Sequence, residues 1–191
     1  SEGRLVSKHG LIVQGYEADS VGTIGTSLKD LVLDSNVRST PKVTDRVNVS
    51  VNLDARTEVG DEFNVRDPEN TSDFSTSTVV YDSLGGAHTV GVFFRKADVD
   101  TWEWHAVVDG GEVTGGTEGL GVETASGRIS FTNDGKLDVE ETVGSSFDFV
   151  GAAPGQRIAL DFGESFTTDA GTGLGGSTGY ASSSKVSSVS Q

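Results

Sequence analysis

Val47, Val49, Val51 and Leu53 alternate with Asn48, Ser50 and Asn52. This period of two puts four apolar side chains on one face of an extended strand and the polar ones on the other. A slip of one residue would expose all four, at roughly 1.5–3 kcal/mol each, so the strand has one workable face. The same alternation predicts strands over 77–81, 89–94 and 101–108, the last with Trp102, Trp104, Ala106 and Val108 facing together. Turn formers separate the runs. Ser83-Leu84-Gly85-Gly86 predicts a hairpin between the first two, and Asn133-Asp134-Gly135 predicts another between Ile129/Phe131 and Leu137/Val139. Ile158, Leu160 and Phe162 alternate again near the end. Helical periodicity is hard to find, so the fold class is all-β.

Two stretches read as boundaries: the polar run Asp67-Pro68-Glu69-Asn70-Thr71-Ser72-Asp73 and the Gly-rich run from Gly163 to Gly179. Between them lies a self-contained set of strands. The first flank has few strands of its own and would make a poor domain alone. The economical arrangement is a discontinuous domain carrying an inserted one. No repeat of 20–50 residues is found.

Composition narrows the chemistry. The 191 residues hold 14 Lys+Arg against 29 Asp+Glu, a formal net charge of −15. With no basic run, nucleic acid and anionic membrane surfaces are excluded as partners, because both require clustered cations. The absence of Cys removes disulfides, thiolate metal sites and Cys nucleophiles together. No apolar run approaches the roughly 18 residues of a membrane span, and Ser1-Glu2-Gly3-Arg4 begins no signal segment. Met is absent even at position 1, so the chain reads as a piece excised from a longer protein.

Four stretches together resemble bacterial flagellar hook proteins. Gly10-Leu11-Ile12-Val13-Gln14-Gly15-Tyr16, continued by Gly22-Thr23-Ile24, looks like that family's short strand before a Gly-Tyr turn. Val80-Tyr81-Asp82-Ser83-Leu84-Gly85-Gly86-Ala87-His88, followed by the Trp102/Trp104 strand, carries the most specific hairpin of the four. Ile129 to Leu137 matches a Phe-x-x-x-Gly-x-Leu hairpin, and Gly179-Tyr180-Ala181 through Gln191 resembles a return segment heading toward a C-terminal helix. The resemblance implies an inner, discontinuous domain over 1–66 and 167–191. It implies an inserted outer domain over 67–166, an antiparallel β-sandwich or barrel, and terminal helices lying outside this chain. Residues 112–127 match no pattern of the family.

Gly171, Gly173 and Gly176 satisfy a literal G-x-G-x-x-G, but no helix period follows, so the stretch reads as a flexible linker. Asp161-Phe162-Gly163 lacks every other kinase segment. His9, His88 and His105 show no metal-ligand spacing and read as hairpin-surface or strand-face residues. Asp98 and Asp100 offer two oxygens beside a turn, short of the six or more that calcium gathers. No carboxylate pair is selected for glycoside hydrolysis. Trp102 and Trp104 form either a sugar-stacking platform or a sandwich core, the core being the commoner use. Asn48-Val49-Ser50 and Asn70-Thr71-Ser72 match the glycosylation acceptor pattern by chance.

The expectation is therefore a structural protein without catalytic residues, cofactor or metal. The resemblance implies a subunit of the extracellular hook, the curved universal joint that transmits torque from rod to filament. It also implies export by the flagellar secretion apparatus without a cleaved signal peptide. Its partners would be further copies of itself, joined head-to-tail, with rod, hook-cap and hook-filament junction proteins at the ends. The excised piece, lacking the helices, is expected to be monomeric. Candidate contact residues are Tyr81, Asp82, Ser83 and Gly85 at one hairpin and Asn133, Asp134 and Gly135 at the other. The alternatives are a distal-rod relative, or an extracellular β-sandwich that binds glycans or acts as an adhesin.

Overall fold

The computed structural model describes residues 3–18, 22–32 and 41–191. Residues 1–2, 19–21 and 33–40 of the expected inner span lie outside the described residues. The chain divides into two compact units, Ser1–Thr40 and Pro41–Gln191.

In the first unit, β1 (Gln14–Ala18) pairs antiparallel with β2 (Ile24–Asp30), with a register shift between Tyr16 and Ala18. Lys29 is paired with Glu17, and Gln14 Nε2 donates to Asp30 Oδ1 at 2.9 Å. None of its described residues is buried.

The second unit holds β3 (Arg46–Asn52), β4 (Phe74–Tyr81), β5 (Ala87–Asp98), β6 (Thr101–Asp109), β7 (Gly121–Phe131), β8 (Leu137–Ser145), β9 (Ala159–Asp161) and β10 (Lys185–Ser190). Strands β4 to β8 form a five-stranded antiparallel meander in chain order. The second sheet runs β10-β3-β9. There β10 is antiparallel to β3 with Val189 opposite Val49, and β9 is parallel to it with Leu160 opposite Val47. The first flank and the return segment thus share a sheet, and a strand from the span between them completes it.

Alternation explains the packing. Val47, Val49, Val51 and Leu53 are buried as one face, and they meet Val90, Val92 and Phe94 of β5 and Trp102, Trp104 and Ala106 of β6 in one apolar cluster. Phe162 is fully buried in this cluster, its ring 5.8 Å from that of Phe94 and 5.4 Å from that of Trp104. Trp102 and Trp104 are 1% and 0% exposed, so they form core, and no sugar platform exists on that strand.

The opposite face of the meander is crossed by residues 60–66. Phe63 stacks on the His105 imidazole at 3.9 Å, and Arg95 Nη1 donates to the carbonyls of Gly60 and Asp61. On this face Arg95 and Arg128 both donate to the carboxylate of Glu103 between them, at 2.5 and 3.0 Å. Burial pushes the Glu103 carboxyl up, but the two guanidinium hydrogen bonds outweigh it and hold the group below its ordinary value.

The Gly-rich run differs from the linker that its composition predicts. Ser177 is fully buried, its hydroxyl donating to Val49 O and accepting from Val51 N. Gly176 lies so near the backbone of Phe162 that a Cβ would stand 2.2 Å from its carbonyl oxygen. The glycines there serve close backbone approach, which composition does not separate from flexibility. Residues 112–127 turn back through Gly115 and Gly119, both at positive φ, and then enter β7 at Gly121.

Candidate subunit-contact surfaces

The meander places its two sequence-marked hairpins at opposite ends. Strand β5 leaves the Asp82–Gly86 turn and β6 returns to that end, whereas the Thr132–Lys136 turn joins β7 to β8 at the far end.

The first tip is built around a buried carboxylate. Asp82 Oδ1 accepts from the backbone N–H groups of Leu84 and Gly86, both at 2.8 Å, which closes the turn from inside. Gly85 takes φ 85° and supplies the N–H that returns to Asp82 O at 3.1 Å. Asp82 Oδ2 lies 3.0 Å from His88 Nε2, and Glu112 Oε2 lies 2.8 Å from His88 Nδ1. The same ring stacks on Phe149 at 3.8 Å. The hydrogen bond from His88, followed by those from the turn, holds the Asp82 carboxyl below its ordinary value against the opposing effect of burial.

Other segments buttress this tip. Ser83 Oγ accepts from Ala153 N at 2.8 Å, Tyr81 O accepts from Thr44 N at 3.0 Å, and Pro41 packs on Gly85. Leu84, 68% exposed, reaches outward with Tyr81 and Val43 beside a groove of about 610 Å³ that Lys42, Asp45 and Arg46 also line.

The second tip is charged. Gly135 takes φ 76°, its N–H donates to Thr132 O at 2.8 Å, and Thr132 N donates to Lys136 O at 2.8 Å. Asp134 is held below its ordinary value by Lys136, 2.6 Å away, and by the Thr132 hydroxyl. Asn133 and Asp134 are exposed, but Gly135 is buried under the ring of Tyr180, and its carbonyl accepts from Gly179 N at 2.9 Å. The return segment is therefore bound to the base of this hairpin.

Tyr81, Asp82, Ser83 and Gly85 thus gather at one end, and Asn133, Asp134 and Gly135 at the other. Asp82 and Gly135 are interior supports, and the exposed members are Tyr81, Ser83, Gly85, Asn133 and Asp134. The clamp of Glu112 and Phe149 on His88 has no sequence signal, since 24 and 61 residues separate the partners. His88 is more enclosed than a strand-surface reading predicts. At the β5–β6 turn, Asp98 Oδ1 accepts from Val99 N at 2.7 Å, and Asp100 takes φ 57°. Among the described residues no group of three or more His, Cys, Asp or Glu gathers as a metal site.

Comparison with known proteins follows this architecture. Residues 52–191 match the family described as the flagellar basal body protein FlaE D2 domain. The flagellar hook protein FlgE of Treponema pallidum is 30% identical over 180 residues, covering 80% of this chain and 38% of that protein. The flagellar hook protein FlgE of Helicobacter pylori is 35% identical over 97 residues, covering 50% of this chain and 14% of that protein. A solved 32 kDa fragment of the flagellar hook protein FlgE from Caulobacter crescentus aligns with a TM-score of 0.47 at 20% identity, covering 67% of this chain and 51% of that one. The chain spans less than half the length of these curated relatives. With the family match running from Asn52, the last residue of β3, through β10, the chain belongs to the flagellar basal body protein FlaE D2 domain family.

Proposed function

We propose that this chain is part of a structural subunit of the bacterial flagellar hook, the flexible joint that carries torque from rod to filament. The observation that carries the reading is the family match over 52–191 together with two relatives named as hook proteins. In this reading the protein is extracellular, is exported without a cleaved signal peptide, and works without catalysis. Its partners are copies of itself, with rod, cap and junction proteins at the ends of the polymer.

The domain division over 1–66 with 167–191 and over 67–166 is part of the proposal, as are the contact residues. Head-to-tail growth needs two different complementary patches on each subunit. The two tips, at opposite ends of one sheet and of unlike character, supply such a pair: apolar Tyr81 and Leu84 at one end, Asn133 and Asp134 at the other. Contacts confined to tips are small, which suits a polymer whose outer surface must slide as it bends and rotates.

Deleting the segment within the full-length gene, with the regions on either side retained, tests the reading by negative-stain microscopy and motility. Loss of hooks with rods persisting is expected. Normal hooks and normal swimming would overturn it.

A further inference from the structure

Strand β8 is the last of the meander, and the first half of its outer edge is met by an irregular segment of the Gly-rich run. Phe166 N donates to Leu137 O at 3.0 Å, Thr167 N donates to Asp138 O at 2.8 Å, and Leu137 N donates to Gly173 O at 3.2 Å. The Thr167 hydroxyl donates to Asp138 Oδ1, and the Thr168 hydroxyl accepts from Glu140 N at 3.1 Å. The segment also closes on itself, because Asp169 Oδ2 accepts from Ser165 N at 3.1 Å and from Ser165 Oγ at 2.7 Å. Residues 163–173 therefore form a strap along β8 from Leu137 to Glu140. Its apolar side chains, Phe166 and Ala170, are exposed, so hydrogen bonds and not apolar burial hold it down. Segments held in this way open at lower cost than the core.

At the Glu140 end the strap borders a cavity of about 400 Å³ lined by four carboxylates, Glu140, Asp161, Glu164 and Asp169, and by one guanidinium, Arg46. The neighbours of Glu140 are already committed. Arg46 Nη1 lies 2.6 Å from Asp161 Oδ2, Asp161 Oδ1 accepts from Gly163 N at 2.9 Å, and Asp169 is tied to Ser165. Among the described residues the half-buried Glu140 carboxyl receives a single hydrogen bond, from Phe162 N at 3.2 Å. On β7 the residue opposite is the buried Ile129, so that strand brings no cation to it. A charged Glu140 thus faces Asp161 on β9 and Asp169 on the strap without a counter-ion of its own. Burial raises its carboxyl to about 7, and the two aspartates act in the same direction.

We propose that residues 163–173 are a pH-operated strap, held closed on β8 by the Glu140 carboxylic acid and released by the Glu140 carboxylate. The closed strap buries the group beside Asp161 and Asp169, and opening returns it to water, where its ordinary value of 4.5 applies. The closed state therefore binds the extra proton between 4.5 and about 7, and opening becomes easier as pH rises through that window and then levels. Release breaks the contact of Thr168 with Glu140 first and, carried along the strap, uncovers the carbonyls of Leu137 and Asp138 on the β8 edge. This device stands on the fold alone and does not rest on the hook reading.

Hydrogen exchange read by mass spectrometry tests it on the full-length protein free in solution, from pH 5 to pH 8, with rates corrected for the intrinsic pH dependence of exchange. Peptides covering 163–174 are compared with peptides covering 89–96 of β5. Protection of 163–174 is expected to fall about tenfold across this range. It is also expected to stay below that of β5 and to be unchanged by dilute urea, as an opening smaller than global unfolding requires. Glu140→Gln should abolish the fall and keep the strap protected at pH 8. Thr168→Val should lower its protection at pH 5 while leaving β5 unaffected. Strap protection that does not change with pH, that falls equally in Glu140→Gln, that follows β5 in urea, or that is at the wild-type level in Thr168→Val overturns the proposal.

Discussion

The Asp82 carboxylate and the His88 imidazole lie 3.0 Å apart inside the β4–β5 turn, and this pair fixes the tip that projects Leu84. Asp82→Ala leaves two turn N–H groups and His88 without their acceptor. It is expected to destabilise the unit by about 3 kcal/mol in urea unfolding. Because the folded carboxyl sits below its ordinary 3.8, the stability it contributes is present above that value. It is lost as pH falls through the lowered one. Asp82→Asn should make the acid limb of the stability profile shallower.

Glu140 behaves in the opposite sense. Burial, with the nearby Asp161 and Asp169, raises its carboxyl from 4.5 to about 7, against the hydrogen bond from Phe162 N and the charge of Arg46. Between those values the folded state binds the extra proton, so stability falls as pH rises from 4.5 to about 7 and then levels. Allowing for solvent screening, the loss is about 1–2 kcal/mol. Thermal unfolding of Glu140→Gln from pH 5 to pH 8 should lack this decline.

Gly127 faces the indole of Trp104. A Cβ there would stand 2.0 Å from Glu141 O and 2.6 Å from the Trp104 ring, so backbone and core must both move. Gly127→Ala is expected to cost about 3 kcal/mol or more, read as a lowered urea midpoint.

Gly135 and Tyr180 give a separable test. Gly135→Ala is opposed by φ 76° and by the Tyr180 ring 2.6 Å from the added carbon. In a Tyr180→Ala background the ring contact is gone, and the backbone strain of about 1 kcal/mol remains with the close approach to Gly179 O at 3.1 Å. A double-mutant cycle in urea should therefore show coupling between the two sites.

The meander was legible because its strands are half-buried and alternate. The Trp102/Trp104 face, the Gly85 and Gly135 turns and the Val47–Leu53 face all follow from period two with turn chemistry between. The Gly163–Gly179 run was not legible, because glycine marks both loose chain and close backbone approach, and only the seat of Ser177 and Gly176 against Val49 and Phe162 distinguishes them. Nor was β9 beside β3, since a three-residue parallel pairing across 113 positions leaves no local pattern. The hairpin residues were found from sequence. The division of labour between buried Asp82 and exposed Leu84 required the turn's hydrogen bonds.

The most direct test of the hook reading is immunogold labelling of intact flagella with antibodies raised against residues 41–191. Gold confined to the curved segment between rod and filament is the predicted result. Gold on rod or filament with the curved segment bare would contradict it.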